Sequence, residues 1–161
     1  MKVSFVCTGN ICRSVIGIYI FKKFLQDNGI TDIQVDGYGM KRNAGGEKSP
    51  KFIIEALKEY GIDASSHISK KLSPDILQSH IVICFVNSHI QKLKEYGCKN
   101  VFSIKELASF IPDSCSGGVS VPDPYFDKSV TGDICTLVQY SCKAILRECM
   151  LEFFRRRTSG E

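Results

Sequence analysis

The chain has 161 residues, 43% hydrophobic and 24% charged, with a formal net charge of +4. That length supports one domain with its own core, and the charge is too mild for a nucleic-acid surface, which needs a denser basic face with interleaved aromatics. No apolar run reaches the roughly 18 residues of a membrane span, and residues 1–6 are too short for a secretory signal; a cytoplasmic protein with no membrane or nucleic-acid partner is expected.

In chain order, residues 2–6 read as a buried strand and 14–28 as a helix closed by Asn28-Gly29. Ile33 to Val35 is a second short strand running into a Gly-rich loop, 36–46. Ser49-Pro50 opens a helix whose Phe52, Ile53, Ala56, Leu57 and Tyr60 recur at helical spacing until Gly61. Ser73-Pro74 starts another short helix. The continuous apolar run 81–86 is the strongest strand, suited to the centre of a parallel sheet. Asn87-Ser88 can cap a helix over 89–96, and 100–103 is a fourth strand. Residues 109–130 read as loop, and a final helix runs from about Thr131 to Phe154. Strands alternating with helices predict an α/β fold: a three-layer, doubly wound sheet of four parallel strands with helices on both faces. A single domain over 1–157 is expected, with 158–161 as a flexible tail. Ligands of such sheets bind beyond the carboxyl ends of the strands, so the loops after the first and fourth strands belong to one rim.

The eight cysteines include no C-x-x-C pair. Cys135, Cys142 and Cys149 are spaced by seven, roughly 10 Å apart along a helix, too far to share a metal. They read as small core residues of a chain with reduced thiols. His67, His80 and His89 show no metal spacing and read as structural or surface residues. Arg155-Arg156-Arg157 reads as a solvated helix end that suits the helix dipole.

The chemistry concentrates at residues 6–14, Val-Cys-Thr-Gly-Asn-Ile-Cys-Arg-Ser, between the first strand and first helix. A tight loop there aims backbone N–H groups and a helix N-terminus inward, an anion seat. Arg13 adds a planar fork matching two phosphate oxygens, and Cys7 stands at the loop's start as a nucleophile beneath the anion.

Cys7-Thr8-Gly9-Asn10-Ile11-Cys12-Arg13-Ser14, with Asp123-Pro124-Tyr125 far downstream, resembles the low-molecular-weight protein tyrosine phosphatases. The resemblance implies a sheet with its four strands in the order 2-1-3-4 and a hydrolase that works through a phosphocysteine at Cys7, with no cofactor and no metal. Thr8, Gly9, Asn10, Ile11, Cys12, Arg13 and Ser14 would form the phosphate loop, with Arg13 clamping the transition state. Ser14 would donate to the Cys7 sulfur. Asn10 would hold the loop in its strained shape, with Gly9 permitting that backbone. Asp123 would act as general acid and base. Ile11, Tyr125, Phe126 and Asn43 would wall the substrate, and Cys12 would guard Cys7 through a reversible disulfide, although it also suits a plain packing role.

The implied partner is a phosphotyrosine-containing protein, with inorganic phosphate, sulfate or vanadate as active-site ligands, and a monomer or weak dimer as the assembly. The chain departs from the family at Val15-Ile16-Gly17-Ile18, where Pro-x-Ala-Glu is usual, at the basic stretch Lys41-Arg42, and at Val86-Asn87. Two other readings are a thioredoxin-coupled arsenate reductase, which needs two further redox cysteines close together after the central strand, and an idle phosphate- or phosphotyrosine-binding module, which would be expected to lose Cys7 or Asp123.

Overall fold

The structure, a computed structural model, describes residues 1–118 and 120–161. Its centre is strand β1, Lys2–Cys7. Strand β2, Gln34–Gly39, pairs along one edge of β1, and β3, Ile81–Cys84, along the other; β4, Val101–Ser103, completes the sheet beyond β3. All pairings are parallel, as the alternation of elements predicts, and the order is β2-β1-β3-β4, as the family resemblance implies.

Successive side chains of a strand point to opposite faces, and β1 splits the core accordingly. Val3, Phe5 and Cys7 join the larger cluster, with α1 (Arg13–Asp27), α2 (Lys51–Lys58), α6 (Thr131–Gln139) and α7 (Cys142–Ser159). Val6 joins the smaller cluster, with Ile76 of a 3-10 turn at Pro74–Gln78, Leu93 of α3 (Asn87–Tyr96), Val82 and Val101. Two one-turn helices, α4 (Ile104–Leu107) and α5 (Asp113–Ser116), fill the path after β4. Among the described residues, no helix is long and apolar enough to cross a membrane.

The structure corrects four sequence expectations. The Gly-rich stretch after Val35 is strand as far as Gly39, because β1 pairs with it through Cys7↔Gly39. Helix α3 begins at Asn87 without a side-chain cap of its own; the Asn87 N–H donates to Ser120 Oγ instead. The predicted final helix is two. Tyr140 O accepts from both the N–H and the hydroxyl of Ser109, so that carbonyl is turned away from a continuing helix, while Ser141 Oγ donates back to Leu137 O. Helix α7 also runs past Phe154 to Ser159, supported by ion pairs from Glu152 to Arg155 and Arg156 and closed by Gly160 in the left-handed region.

The departure at Val15-Ile16-Gly17-Ile18 has a packing reason. A Cβ on Gly17 would lie 2.5 Å from the Phe5 ring, so the bare backbone lets α1 sit on β1's largest side chain.

Candidate active site

Strand β1 ends at Cys7 and α1 begins at Arg13, leaving five residues to turn the chain. The first N–H groups of a helix have no intrahelical acceptors, and no side chain caps this one. They open instead on a cavity of about 250 Å³ lined by Cys7, Gly9, Cys12, Arg13, Asp123 and Tyr125, with Thr8, Ile11, Lys41, Glu47 and Phe126 around them. Helix dipole, free amides and the Arg13 guanidinium give that cavity a positive base.

The loop is held from behind by groups that do not line the cavity. Asn10 is wholly buried with φ 57°, the only non-glycine in the left-handed region among the described residues. Its backbone N–H donates to Cys7 Sγ at 3.3 Å and its Nδ2 to Ser14 Oγ at 2.8 Å, while its Oδ1 accepts from the Lys70 N–H at 2.9 Å. His67 Nε2 donates to Asn10 O at 2.9 Å, so this imidazole serves the loop from a segment 57 positions away. Burial lowers the His67 pKa, which keeps a neutral ring with one N–H for that carbonyl.

The strain therefore sits at Asn10, whose amide can repay it locally, and not at Gly9. A Cβ on Gly9 would meet only ordinary contacts, Ile11 Cγ1 and Lys41 Cε at 3.5 Å. The glycines that matter to loop shape are on β2. A Cβ on Gly37 would stand 2.9 Å from Asn10 Nδ2, and one on Gly39 would stand 2.8 Å from the Gly9 carbonyl carbon.

Cys7 Sγ lies 3.1 Å from Ser14 Oγ, both buried. Arg13 is 5% exposed. Its Nη1 donates to Val121 O at 2.9 Å, and its Nη2 to Thr8 Oγ1 at 3.3 Å and to Asp123 Oδ2 at 3.2 Å; its Nε is buried without a partner. Asp123 reaches the guanidinium because the Val121 N–H donates to Phe85 O, laying the Pro-rich segment along the end of β3. The other Asp123 oxygen accepts from the Tyr125 N–H, which sets the carboxylate's angle. The two ends of the chain's chemistry thus meet on one rim.

Of the residues expected to wall the substrate, Ile11, Tyr125 and Phe126 line the cavity. Asn43 does not: it is exposed, and Lys41 and Glu47 take the wall instead. Lys41 is fixed there because the Met40 and Lys41 N–H groups donate to Cys7 O and Thr8 O. Glu47 escaped the sequence reading, and His67, read as structural or surface, is structural; no spacing rule links either to the loop. Burial, reinforced by Cys7, pushes the Cys12 thiol up to about 12, so it is protonated near neutrality. Burial, with Arg13 and Lys92 nearby, pushes the His89 imidazole down to about 4.

All eight cysteines are free and buried. Cys84, within β3, and Cys98, fourteen residues later, lie in the smaller core, where burial raises both thiols. Among the described residues no group of His, Cys, Asp or Glu could hold a metal ion. A larger open groove of about 920 Å³, between α4 and the α6–α7 joint, contains none of the loop residues.

Residues 2–153 match the family model described as low molecular weight phosphotyrosine protein phosphatase. The low molecular weight protein-tyrosine-phosphatase PtpA of Staphylococcus epidermidis is 31% identical over 146 residues, 91% of this chain and 92% of that one. The protein-arginine-phosphatase of Bacillus subtilis is 32% identical over 113 residues, 68% of this chain and 73% of that one. The fold matches the crystal structure of a protein tyrosine phosphatase from Entamoeba histolytica with a TM-score of 0.81 at 22% identity, covering 93% of this chain and 97% of that one. On a family match that runs from β1 through most of α7 and takes in both the loop and Asp123, this chain belongs to the low molecular weight phosphotyrosine protein phosphatases.

Proposed function

We propose that the protein hydrolyses phosphotyrosine in protein substrates in two steps. In the first, Cys7 Sγ attacks phosphorus in line; the S–P bond forms as the P–O bond to the aryl group breaks, and the Asp123 carboxyl gives its proton to the departing phenolate oxygen. In the second, Asp123 takes a proton from water, whose oxygen bonds to phosphorus as the S–P bond breaks and phosphate leaves. Arg13 and the loop amides bear the equatorial oxygens, where charge collects in the transition state. Ser14 donates to the sulfur and favours its departure as thiolate.

The observation that carries this reading is Cys7 Sγ on the cavity wall between the helix N-terminus and the Arg13–Asp123 pair. Ile11, Tyr125 and Phe126 give an apolar lip suited to an aryl group. Relatives acting on phosphoarginine tend to carry Thr where this chain has Ile11, which favours tyrosine. Inorganic phosphate, sulfate and vanadate act as competing ligands, and no cofactor takes part. Cys12 stands as a redox guard: a Cys7 sulfenic acid condenses with the Cys12 thiol, expelling water and leaving a disulfide. Eight unpaired thiols suit a reducing, cytoplasmic setting, and a monomer or weak dimer suffices, since one chain supplies every group named.

The test is turnover of p-nitrophenyl phosphate and of peptides phosphorylated on Tyr, Ser/Thr or Arg by wild type and Cys7→Ser. Turnover is expected for the aryl substrates and lost in the variant. Normal turnover by Cys7→Ser overturns the mechanism, and a preference for phosphoarginine overturns the substrate.

A further inference from the structure

Tyr125 lines two cavities. The first is the catalytic one; the second, of about 640 Å³, is bounded by Pro50, Lys51, Phe52, Glu55 and Lys128. A peptide whose phosphorylated side chain enters the first cavity passes Tyr125 and meets the second. Tyr125 and Phe126 are 59% and 85% exposed at that passage, an aromatic surface free for contact.

The second hollow has its own chemical character. Pro50 and the half-buried Phe52 give it an apolar floor. Lys128 Nζ stands 5.1 Å from the centroid of the Phe52 ring, and among the described residues it has no carboxylate within ion-pairing distance. Lys51 has only Glu55, at 3.7 Å between side chains 90% and 58% exposed, a solvated pairing that an incoming carboxylate displaces easily. Glu55 is the sole acid in the lining, so two ammonium groups face one carboxylate.

Resting on the phosphatase reading of the first cavity, we infer that the second hollow is a substrate subsite for an acidic side chain a few residues from the phosphorylated one. The carboxylate pairs with Lys128, and the methylenes beside it lie on Phe52. Lys128 is thus a specificity-determining residue that touches no reacting atom. Its effect falls on peptide recognition, while turnover of small aryl phosphates, which end at Tyr125, is unaffected.

The test is a set of phosphotyrosine peptides, neutral except for one Glu moved through the positions on either side of the phosphorylated residue, assayed with wild type, Lys128→Glu, Lys128→Ala and Phe52→Ala. Wild type is expected to favour Glu at one or two positions, through KM. Lys128→Glu is expected to lower kcat/KM for those peptides by roughly three- to tenfold, the size of one partly exposed pair made repulsive, with p-nitrophenyl phosphate turnover unchanged. A flat profile in wild type, or a Glu preference that persists in Lys128→Glu and is lost in Lys41→Ala, overturns the subsite. Absence of aryl phosphate turnover by wild type overturns the phosphatase reading instead.

Discussion

Asn10 donates its side-chain N–H to Ser14 Oγ across 2.8 Å, with both residues wholly buried. The amide cannot be turned the other way, because its oxygen is engaged by the Lys70 N–H. Ser14 Oγ is therefore an acceptor from Asn10 and, at 3.1 Å, from the Cys7 thiol, while its own proton is free to turn to the sulfur once Cys7 is a thiolate. One amide orientation, fixed by a distant backbone, keeps the Ser14 proton available to Cys7.

Asn10→Ala removes that orientation, leaves the Lys70 N–H without its acceptor and puts alanine at φ 57°. A stability loss of about 1–3 kcal/mol is expected from the strained backbone and the part-buried donor left unpaired, with kcat reduced at least tenfold. Urea denaturation and p-nitrophenyl phosphate kinetics read the two effects. Asn10→Gly relieves the backbone but not the hydrogen bonds, so it is expected to regain part of the stability and little of the rate.

Gly37→Ala adds one methyl 2.5 Å from Ile18 Cδ1 and 2.9 Å from Asn10 Nδ2 and Phe5 O. Ile18 can turn aside, but the Phe5 carbonyl belongs to the sheet. About 1–3 kcal/mol of overpacking is expected, together with slower turnover because Asn10 is displaced. Full activity in a destabilised variant would show that the loop tolerates the shift.

Asp123→Ala is expected to slow phenyl phosphate and phosphotyrosine by about 10²–10⁴, the usual range for a positioned acid. The loss for p-nitrophenyl phosphate should be smaller, since that phenolate leaves with little protonation. Equal losses for both leaving groups would remove Asp123 as the acid.

His89 is expected to make the fold sensitive to acid. Its folded pKa is about 4 against roughly 6.5 in an unfolded chain. Between those values the unfolded state binds more protons, so stability is complete above pH 6.5 and falls as the pH drops to 4. The expected loss is on the order of 2–3 kcal/mol over that window. Urea midpoints at pH 7.5 and 4.5 should differ less for His89→Gln than for wild type; equal differences would dismiss His89 as the source.

The sequence was most legible where residue type alone decides structure. The unbroken apolar run at β3 marked an interior strand of the sheet, and the Cys7–Ser14 string is the turn between β1 and α1 that its place in the sequence implies. It was least legible where structure depends on a distant backbone atom. Gly37 and Gly39 look like a loop, yet they are strand residues kept small to admit Asn10 and Gly9. The break between α6 and α7 depends on Ser109, and the hold on Arg13 depends on the Val121 carbonyl, a group every residue carries. Asn43 was expected in the wall from the family resemblance, but Met40 and Lys41 are bound to the loop by backbone hydrogen bonds, and that anchoring leaves Lys41 there instead.

The loop's contacts also determine when it can form. Lys70 and His67 reach Asn10 across 60 and 57 positions, and Val121 and Asp123 reach Arg13 across 108 and 110. Bringing such separated partners together costs chain entropy before any contact rewards it. During refolding from urea, helical dichroism should therefore return ahead of catalysis, and the interval measures how long the protein exists as a built sheet with an unfinished catalytic loop. Simultaneous recovery of the two signals would show that sheet and loop condense in one step.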